Sequence, residues 1–186
     1  MTTEEWIFLF LSMIWLLEFI LFRNPQSKEK SPRQELKSFY YILFSIILTI
    51  GLCIGLQEWQ VVTHLFLFFQ WLSLFLYGAG MFLRYWSMLV LQQEFTRHVH
   101  VSASKTLVSH GPYRFVRHPL YTGLCLCMIG ISFYLASWIG LVVTLVLVLP
   151  SILYRIKLEE KMLENVLGSQ YVQWKNKRWI LLPWIY

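Results

Sequence analysis

Aspartate is missing from the chain altogether, and charged residues of every kind make up only 14% of its 186 residues, where an ordinary soluble domain carries about 25%. Hydrophobic residues account for 57%. A soluble fold of this length leaves too much surface exposed to hide that apolar share. A water-soluble globule is therefore excluded, and the excess must face lipid. Cysteine is scarce, and Cys53, Cys125 and Cys127 all lie inside apolar runs. Cys125 and Cys127 stand two apart on an expected helix and point to nearly opposite faces, which excludes a shared metal; they read as small buried apolar side chains. His98, His100, His110 and His118 match no familiar ligand spacing, so no metal is expected. A Gly-rich dinucleotide fingerprint, a phosphate-binding loop and a nucleophile elbow are all missing.

What is present is a series of apolar stretches within one membrane domain, 1–186. A span needs roughly 20 apolar residues. The fold class expected is all-α integral membrane, with five transmembrane helices at about 6–22, 39–56, 64–91, 121–136 and 138–155, a polar loop before the fourth, and a helical C-terminal tail. The last two spans come from one apolar run too long for a single crossing at a rise of 1.5 Å per residue. Its break at Ala136-Ser137-Trp138 makes a tight hairpin, and Pro150 kinks the last span tolerably. Glu4 and Glu5 precede the first span without a basic flank, so a cleaved signal peptide is not expected. The tail from Ile156 reads as a charged amphipathic helix with an aromatic end.

Net charge is +6, and 14 of the 16 Lys and Arg residues fall in 23–38, 92–119 and 156–186. The positive-inside rule puts these segments in the cytoplasm, with the N-terminus outside and the C-terminus inside. The basic balance thus reads as topology and attraction for membrane lipids, not nucleic acid. Arg155 lies at a boundary, and Arg84 stands about two turns inside the third span. The small size points to a prokaryotic inner membrane.

The densest polar constellation runs from Leu107 to Tyr121 through His110-Gly111-Pro112-Tyr113-Arg114 and Arg117-His118-Pro119. Pro119 fixes φ where the fourth span begins. Arg117 and His118 are thereby expected beside unpaired backbone N–H groups, a place suited to a carboxylate or phosphate. A basic turn anchored to lipid head groups would use the same residues. Glu159-Glu160 follows the last span and could hold an ammonium or pair with Arg155, Lys157 and Lys161. Neighbours on a helix diverge by about 100°, so one of the two at most should enter a site. Glu18 and Arg84 share a depth in the membrane, where a lone charge costs about 2.5–3.5 kcal/mol, and could pair with each other.

Leu83-Arg84, Phe95, Thr106-Leu107-Val108, Gly111-Pro112-Tyr113-Arg114, Arg117-His118-Pro119-Leu120-Tyr121, Glu159-Glu160, Leu163, Gly168, Tyr171 and Pro183 occur in this order. In this the chain resembles the isoprenylcysteine carboxyl methyltransferase family and is similar to the related membrane phospholipid N-methyltransferases. The resemblance covers about 80–186, the expected catalytic region. It implies S-adenosylmethionine bound at the cytoplasmic face by Lys105, Leu107, Val108, Gly111, Tyr113, Arg117, His118, Pro119, Tyr121, Glu159, Glu160 and Tyr171. His118 and the helix N-terminus would take its carboxylate and Glu160 or Glu159 its ammonium, with Tyr171 closing the pocket from the tail. Arg84, and second to it Arg155, would face the methyl acceptor as catalytic groups. Lys105, Leu167 and Trp174 depart from the family pattern, standing where His, Phe and a second Tyr are usual. The implied acceptor is lipophilic and enters from the bilayer: the carboxylate of an isoprenoid or prenylcysteine-like compound, a phenol, a thiol or a lipid amine. The competing readings are an NADPH-dependent sterol-type membrane reductase, which shares an Arg-His-Pro-x-Tyr turn, and a non-catalytic lipid-binding protein.

Overall fold

The computed structural model of the chain describes residues 3–21, 33–55, 66–97 and 107–182. In chain order its helices are α1 (Thr3–Leu21), α2 (Arg33–Gly55), α3 (Phe66–Arg97), α4 (Pro119–Tyr134), α5 (Trp138–Val143), α6 (Leu149–Leu167) and α7 (Ser169–Lys175). Among the described residues no strand forms beyond one isolated parallel bridge, Val116 to Trp179. Three stretches are long and apolar enough to cross a membrane, Lys37–Gly55, Phe68–Leu91 and Trp138–Leu167, and Pro119–Tyr134 is a shorter apolar helix. These helices fit a multi-pass membrane protein.

The exposed surface of the helices bears Phe10, Phe44, Ile47, Phe75, Phe82 and Val146, all large and apolar, while Ser38, Ser45, Thr49, Ser73, Ser87, Thr122, Ser132 and Thr144 are buried between helices. Small polar residues inside and bulky apolar ones outside is the arrangement of helices packing in lipid, where apolar faces gain nothing by hiding. The tightest seam joins α3 to α4. A Cβ on Gly80 would lie 2.6 Å from the Gly123 carbonyl oxygen, and one on Gly123 would lie 2.6 Å from that of Gly80. Only hydrogen at both positions lets the two backbones meet this closely. Helix α1 docks on this pair: Phe8 stacks on Tyr134 at 3.9 Å between ring centres, and the Tyr85 hydroxyl donates to the Ile14 carbonyl at 2.6 Å. Helix α2 lies against α6, with the Ser45 and Ser151 hydroxyls 3.2 Å apart.

The chain reverses after α4 through Leu135 and Ala136, whose φ of 48° lies in the left-handed region. Ser137 then caps α5 by accepting the Gly140 N–H at 3.0 Å, a preferred role for serine. Between α5 and α6 the helix widens into a π-turn, Thr144–Val148, closed by the Leu149 N–H on the Thr144 carbonyl. The wide turn comes directly before Pro150, which has no N–H to donate and is most easily housed where the regular ladder is already interrupted.

The tail expected to be helical from Ile156 is helical, and it continues the last apolar stretch without a break. Helix α6 runs unbroken past Arg155 to Leu167, and the first interruption is Gly168 at φ 54°. Residues 156–167 are mostly strong helix formers with no glycine or proline, so the fall in hydropathy at 155 does not end the helix. Arg155, Glu159, Glu160 and Glu164 therefore ride on one rigid rod.

Candidate active site

The site is assembled where the start of α4, the polar end of α6 and the returning tail meet. Gly111 adopts φ 58° and opens a 3₁₀ turn, Gly111–Arg114, with Pro112 in its first turn. This turn sits on the end of α3: a Cβ on Gly111 would approach Val90 Cγ2 to 3.0 Å and Trp86 Nε1 to 3.5 Å. After it, the backbone extends along the tail as a short parallel pairing. The Arg117 N–H donates to the Trp179 carbonyl at 2.8 Å, the Trp179 N–H to the Phe115 carbonyl at 3.1 Å, and the His118 N–H to the Ile180 carbonyl at 3.2 Å. The Thr122 hydroxyl adds a bond to the Leu181 carbonyl at 2.7 Å.

This pairing corrects one expectation. The N–H groups of Arg117 and His118 are not open to an anion, because the tail's carbonyls occupy them. Those of Tyr121 and Thr122 bond back to the His118 carbonyl at 3.0 and 3.1 Å. Attraction for an anion at this point falls to side chains.

His118 is the N-cap of α4, but its imidazole makes no cap bond. It lies 7% exposed with Nε2 at 3.3 Å from Glu160 Oε1. The Arg117 guanidinium reaches the same oxygen at 2.8 Å. Glu159 turns to the neighbouring turn of α4, where the Tyr121 hydroxyl donates to Oε2 at 3.0 Å. Both glutamates thus touch α4, against the expectation that one would point away. The start of α4 lies across α6, and His118 and Tyr121, three apart, meet carboxylates that diverge around the other helix. Glu160 pairs with α4 and its approach, not with its own helix's lysines.

Tyr171, on α7, is 1% exposed and stacks on Trp174 at 5.7 Å. Its hydroxyl, and Nε of Arg117, are buried without a hydrogen-bond partner among the described residues. Burial raises the Tyr171 phenol above its ordinary value, the charge of Glu160 adding to the effect. It stays a neutral donor at physiological pH. Tyr113 is raised likewise by burial and by Glu159. For Glu160, which lies beyond the apolar stretch of α6, burial opposes the charge. The His118 hydrogen bond and the Arg117 guanidinium outweigh it and hold the carboxyl below its ordinary value.

Of the other expected site residues, Pro119 is fully buried at the head of α4, and Leu107 and Val108 are half-buried in the loop. Arg84 donates to the Leu120 carbonyl at 3.1 Å, so it reaches the first turn of α4 from α3. Arg155 donates to the Ser38 hydroxyl on α2 at 2.9 Å. Lys105 and the side chain of Glu18 lie outside the described residues. Sequence reasoning missed Thr122 and Arg178 and treated Trp174 only as a departure. Tyr171, Trp174 and Arg178 recur at three and four residues, one helical face, which was the available signal.

The chemistry available is a buried guanidinium and imidazole, a carboxylate, and a phenol hydroxyl with no hydrogen-bond partner among the described residues. Together these match a zwitterionic amino-acid group. Comparison with known proteins identifies the family. The family described as phospholipid methyltransferase matches residues 68–170, more than half of the chain. Protein-S-isoprenylcysteine O-methyltransferase of Schizosaccharomyces pombe is 26% identical over 91% of this chain and 79% of that protein. The protein of the same description in Saccharomyces cerevisiae is 33% identical over 42% of this chain and 33% of its own length. A probable protein-S-isoprenylcysteine O-methyltransferase of Oryza sativa subsp. indica is 26% identical over 63% of each. The chain thus spans most of the first relative but under two thirds of the other two.

Proposed function

Because the chain belongs to the phospholipid methyltransferase family and is similar to protein-S-isoprenylcysteine O-methyltransferases, we propose that it is a membrane-embedded, S-adenosylmethionine-dependent methyltransferase. It acts at the cytoplasmic face on a lipophilic acceptor. The observation that carries this reading is the convergence of Arg117, His118 and Glu160, with the buried Tyr171 hydroxyl nearby that finds no partner among the described residues. When bound, S-adenosylmethionine supplies an electrophilic methyl group that an aligned nucleophile can take once water is excluded.

The side chains of Arg117 and His118 bind the amino-acid carboxylate, and Glu160, with Glu159 as its neighbour, binds the ammonium. Charge-assisted bonds of this kind are roughly twice as strong as neutral ones, and the pairing of Glu160 with Arg117 compensates both buried charges. Leu107, Val108, Gly111, Tyr113 and Tyr121 line the adenosine side, the resemblance adds Lys105 to the donor-binding set, and Pro119 fixes the turn. Tyr171 closes the site from the tail.

The relatives' names point to a carboxylate on a prenylcysteine-like thioether as acceptor. Such a group is already ionised at neutral pH and needs no general base; it needs orientation and desolvation. Arg84 suits that role because it reaches α4 at Leu120, one turn from the donor-binding residues. Arg155 is second, on the α2 side. The topology proposed with this has five crossings, the N-terminus outside and the C-terminus in the cytoplasm.

The test is transfer of labelled methyl from S-adenosylmethionine by the protein in lipid nanodiscs, offered prenylcysteine acids, alkyl phenols, thiols and phosphatidylethanolamine. Base-labile label on the prenylcysteine acid supports the reading. Label on another acceptor redirects the substrate assignment alone. No label anywhere, with NADPH consumed in a parallel assay, would replace it by the reductase reading; no turnover of either would leave a lipid-binding protein.

A further inference from the structure

Two residues that no part of the methyl-donor chemistry needs directly join the tail to both shoulders of the cofactor loop. Trp174 Nε1 donates to the Val108 carbonyl at 3.2 Å and to the Ser109 hydroxyl at 3.0 Å. Four residues on, past the end of α7, Arg178 Nε donates to the Tyr113 carbonyl at 2.8 Å. The same guanidinium lies 4.5 Å over the Trp174 ring and donates through NH1 to the Trp174 carbonyl at 2.8 Å. Tyr171 stacks on the same indole at 5.7 Å.

These contacts form one chain: Tyr171, Trp174, Arg178, then the backbone of the loop at 108 and at 113. Val108 and Tyr113 are five residues apart, on either side of the Gly111 turn. Fixing both carbonyls fixes the shape of that turn and the distance of the loop from Tyr171. Backbone carbonyls carry no side-chain identity, so the only way to hold them from outside is with donors such as an indole N–H and a guanidinium N–H. Arg serves better than Lys here because its planar fork can stack and donate at once.

We infer that Trp174 and Arg178 are a latch: positioning residues that hold the 107–114 loop against the tail in the shape that accepts the methyl donor. The inference rests on the methyltransferase reading. It assigns to Trp174 a purpose where the family pattern has a tyrosine, since an indole N–H reaches a loop carbonyl that the sequence alone did not connect to it. The latch acts on donor binding and leaves the acceptor side, around Arg84, untouched.

The test compares Arg178→Gln, Arg178→Lys, Trp174→Phe and the double variant Trp174→Phe/Arg178→Gln with the unmodified protein in nanodiscs. Read out are KM for S-adenosylmethionine, KM for the acceptor, kcat, and the melting midpoint. Losing one charged-donor bond should raise donor KM about tenfold or more in Arg178→Gln. Acceptor KM and kcat should stay within about twofold. Arg178→Lys should recover only part of the loss, and the double variant should cost less than the product of the single effects, because the two residues act as a unit. Trp174→Phe keeps the ring under the guanidinium and removes only the N–H, so it remains informative should Arg178→Gln fold poorly. An unchanged donor KM in both single variants overturns the latch, as does a common fall in kcat and stability with an equal rise in both KM values. If the unmodified protein itself does not bind S-adenosylmethionine, the methyltransferase reading has failed and the latch falls with it; if it binds while the variants bind equally well, the latch alone has failed.

Discussion

Arg117 and His118 converge on a single oxygen of Glu160, the guanidinium at 2.8 Å and the imidazole at 3.3 Å. Two donors on the approach to one helix thus meet one acceptor on another. The groups that would take the two ends of a zwitterion neutralise each other when no ligand separates them. Four predictions follow the consequences of that arrangement and of the scaffold beneath it.

Glu160→Gln should weaken binding of S-adenosylmethionine by about tenfold to a hundredfold, since it removes the charged partner of an ammonium and leaves Arg117 without its counter-charge. Glu164→Gln should change it by less than about threefold. Glu164 pairs with Lys175 on a partly exposed surface, where ion pairs contribute little. Titration calorimetry of both variants checks the contrast, and equal effects would contradict it.

Stability should respond to acid through the same residue. The folded-state value of the Glu160 carboxyl is held below its ordinary one. Its contribution is therefore complete above the unfolded value, about 4.3, and is lost as pH falls below it through the folded value. The melting midpoint in detergent should decline over that acid range, and Glu160→Gln should flatten part of the decline. Superimposable acid profiles for the two proteins would speak against the pairing.

Tyr171→Phe should separate stability from binding. An unpaired buried hydroxyl costs about 1–3 kcal/mol, so its removal should raise apo stability by about 1 kcal/mol while weakening methyl-donor binding several-fold. Differential scanning fluorimetry with and without S-adenosylmethionine reads both effects. A destabilised apo protein with normal binding would show that the hydroxyl serves the fold.

Gly80→Ala should disrupt the scaffold. Its Cβ would stand 2.6 Å from the Gly123 carbonyl oxygen and 2.9 Å from the Cys127 nitrogen. Backbone atoms cannot step aside, so the helices must part, at a cost of about 1–3 kcal/mol. Gly78→Ala meets nothing within 4 Å and should be neutral or slightly stabilising through helix propensity. Melting midpoints in detergent test the pair, and equal shifts would contradict the seam.

Much of this site could be read from the chain because side-chain chemistry and punctuation wrote it. The Arg117-His118-Pro119 turn, the Glu159-Glu160 pair and the reversal around Ala136-Ser137 all announce themselves through proline, charge or a capping serine. The parts that could not be read are those built from backbone. The pairing of Phe115–His118 with Trp179–Ile180 joins main-chain groups about 60 residues apart and leaves no mark on residue identity. It is also what occupied the N–H groups expected to be free. The continuity of α6 was hidden for another reason: hydropathy falls at Arg155, but helix propensity does not, so the helix runs on to Leu167. Trp174 is the instructive case, since its departure from the family's tyrosine became meaningful only when its indole was found on the Val108 carbonyl.

The central claim is that the Arg117–His118–Glu160 cluster binds the amino-acid end of S-adenosylmethionine. Equilibrium binding of S-adenosylmethionine and of NADPH to the purified protein, with His118→Ala alongside, tests it most directly. The account predicts saturable binding of S-adenosylmethionine, none of NADPH, and a loss of affinity of about tenfold or more in His118→Ala. Binding of NADPH instead, or S-adenosylmethionine affinity indifferent to His118, would contradict it.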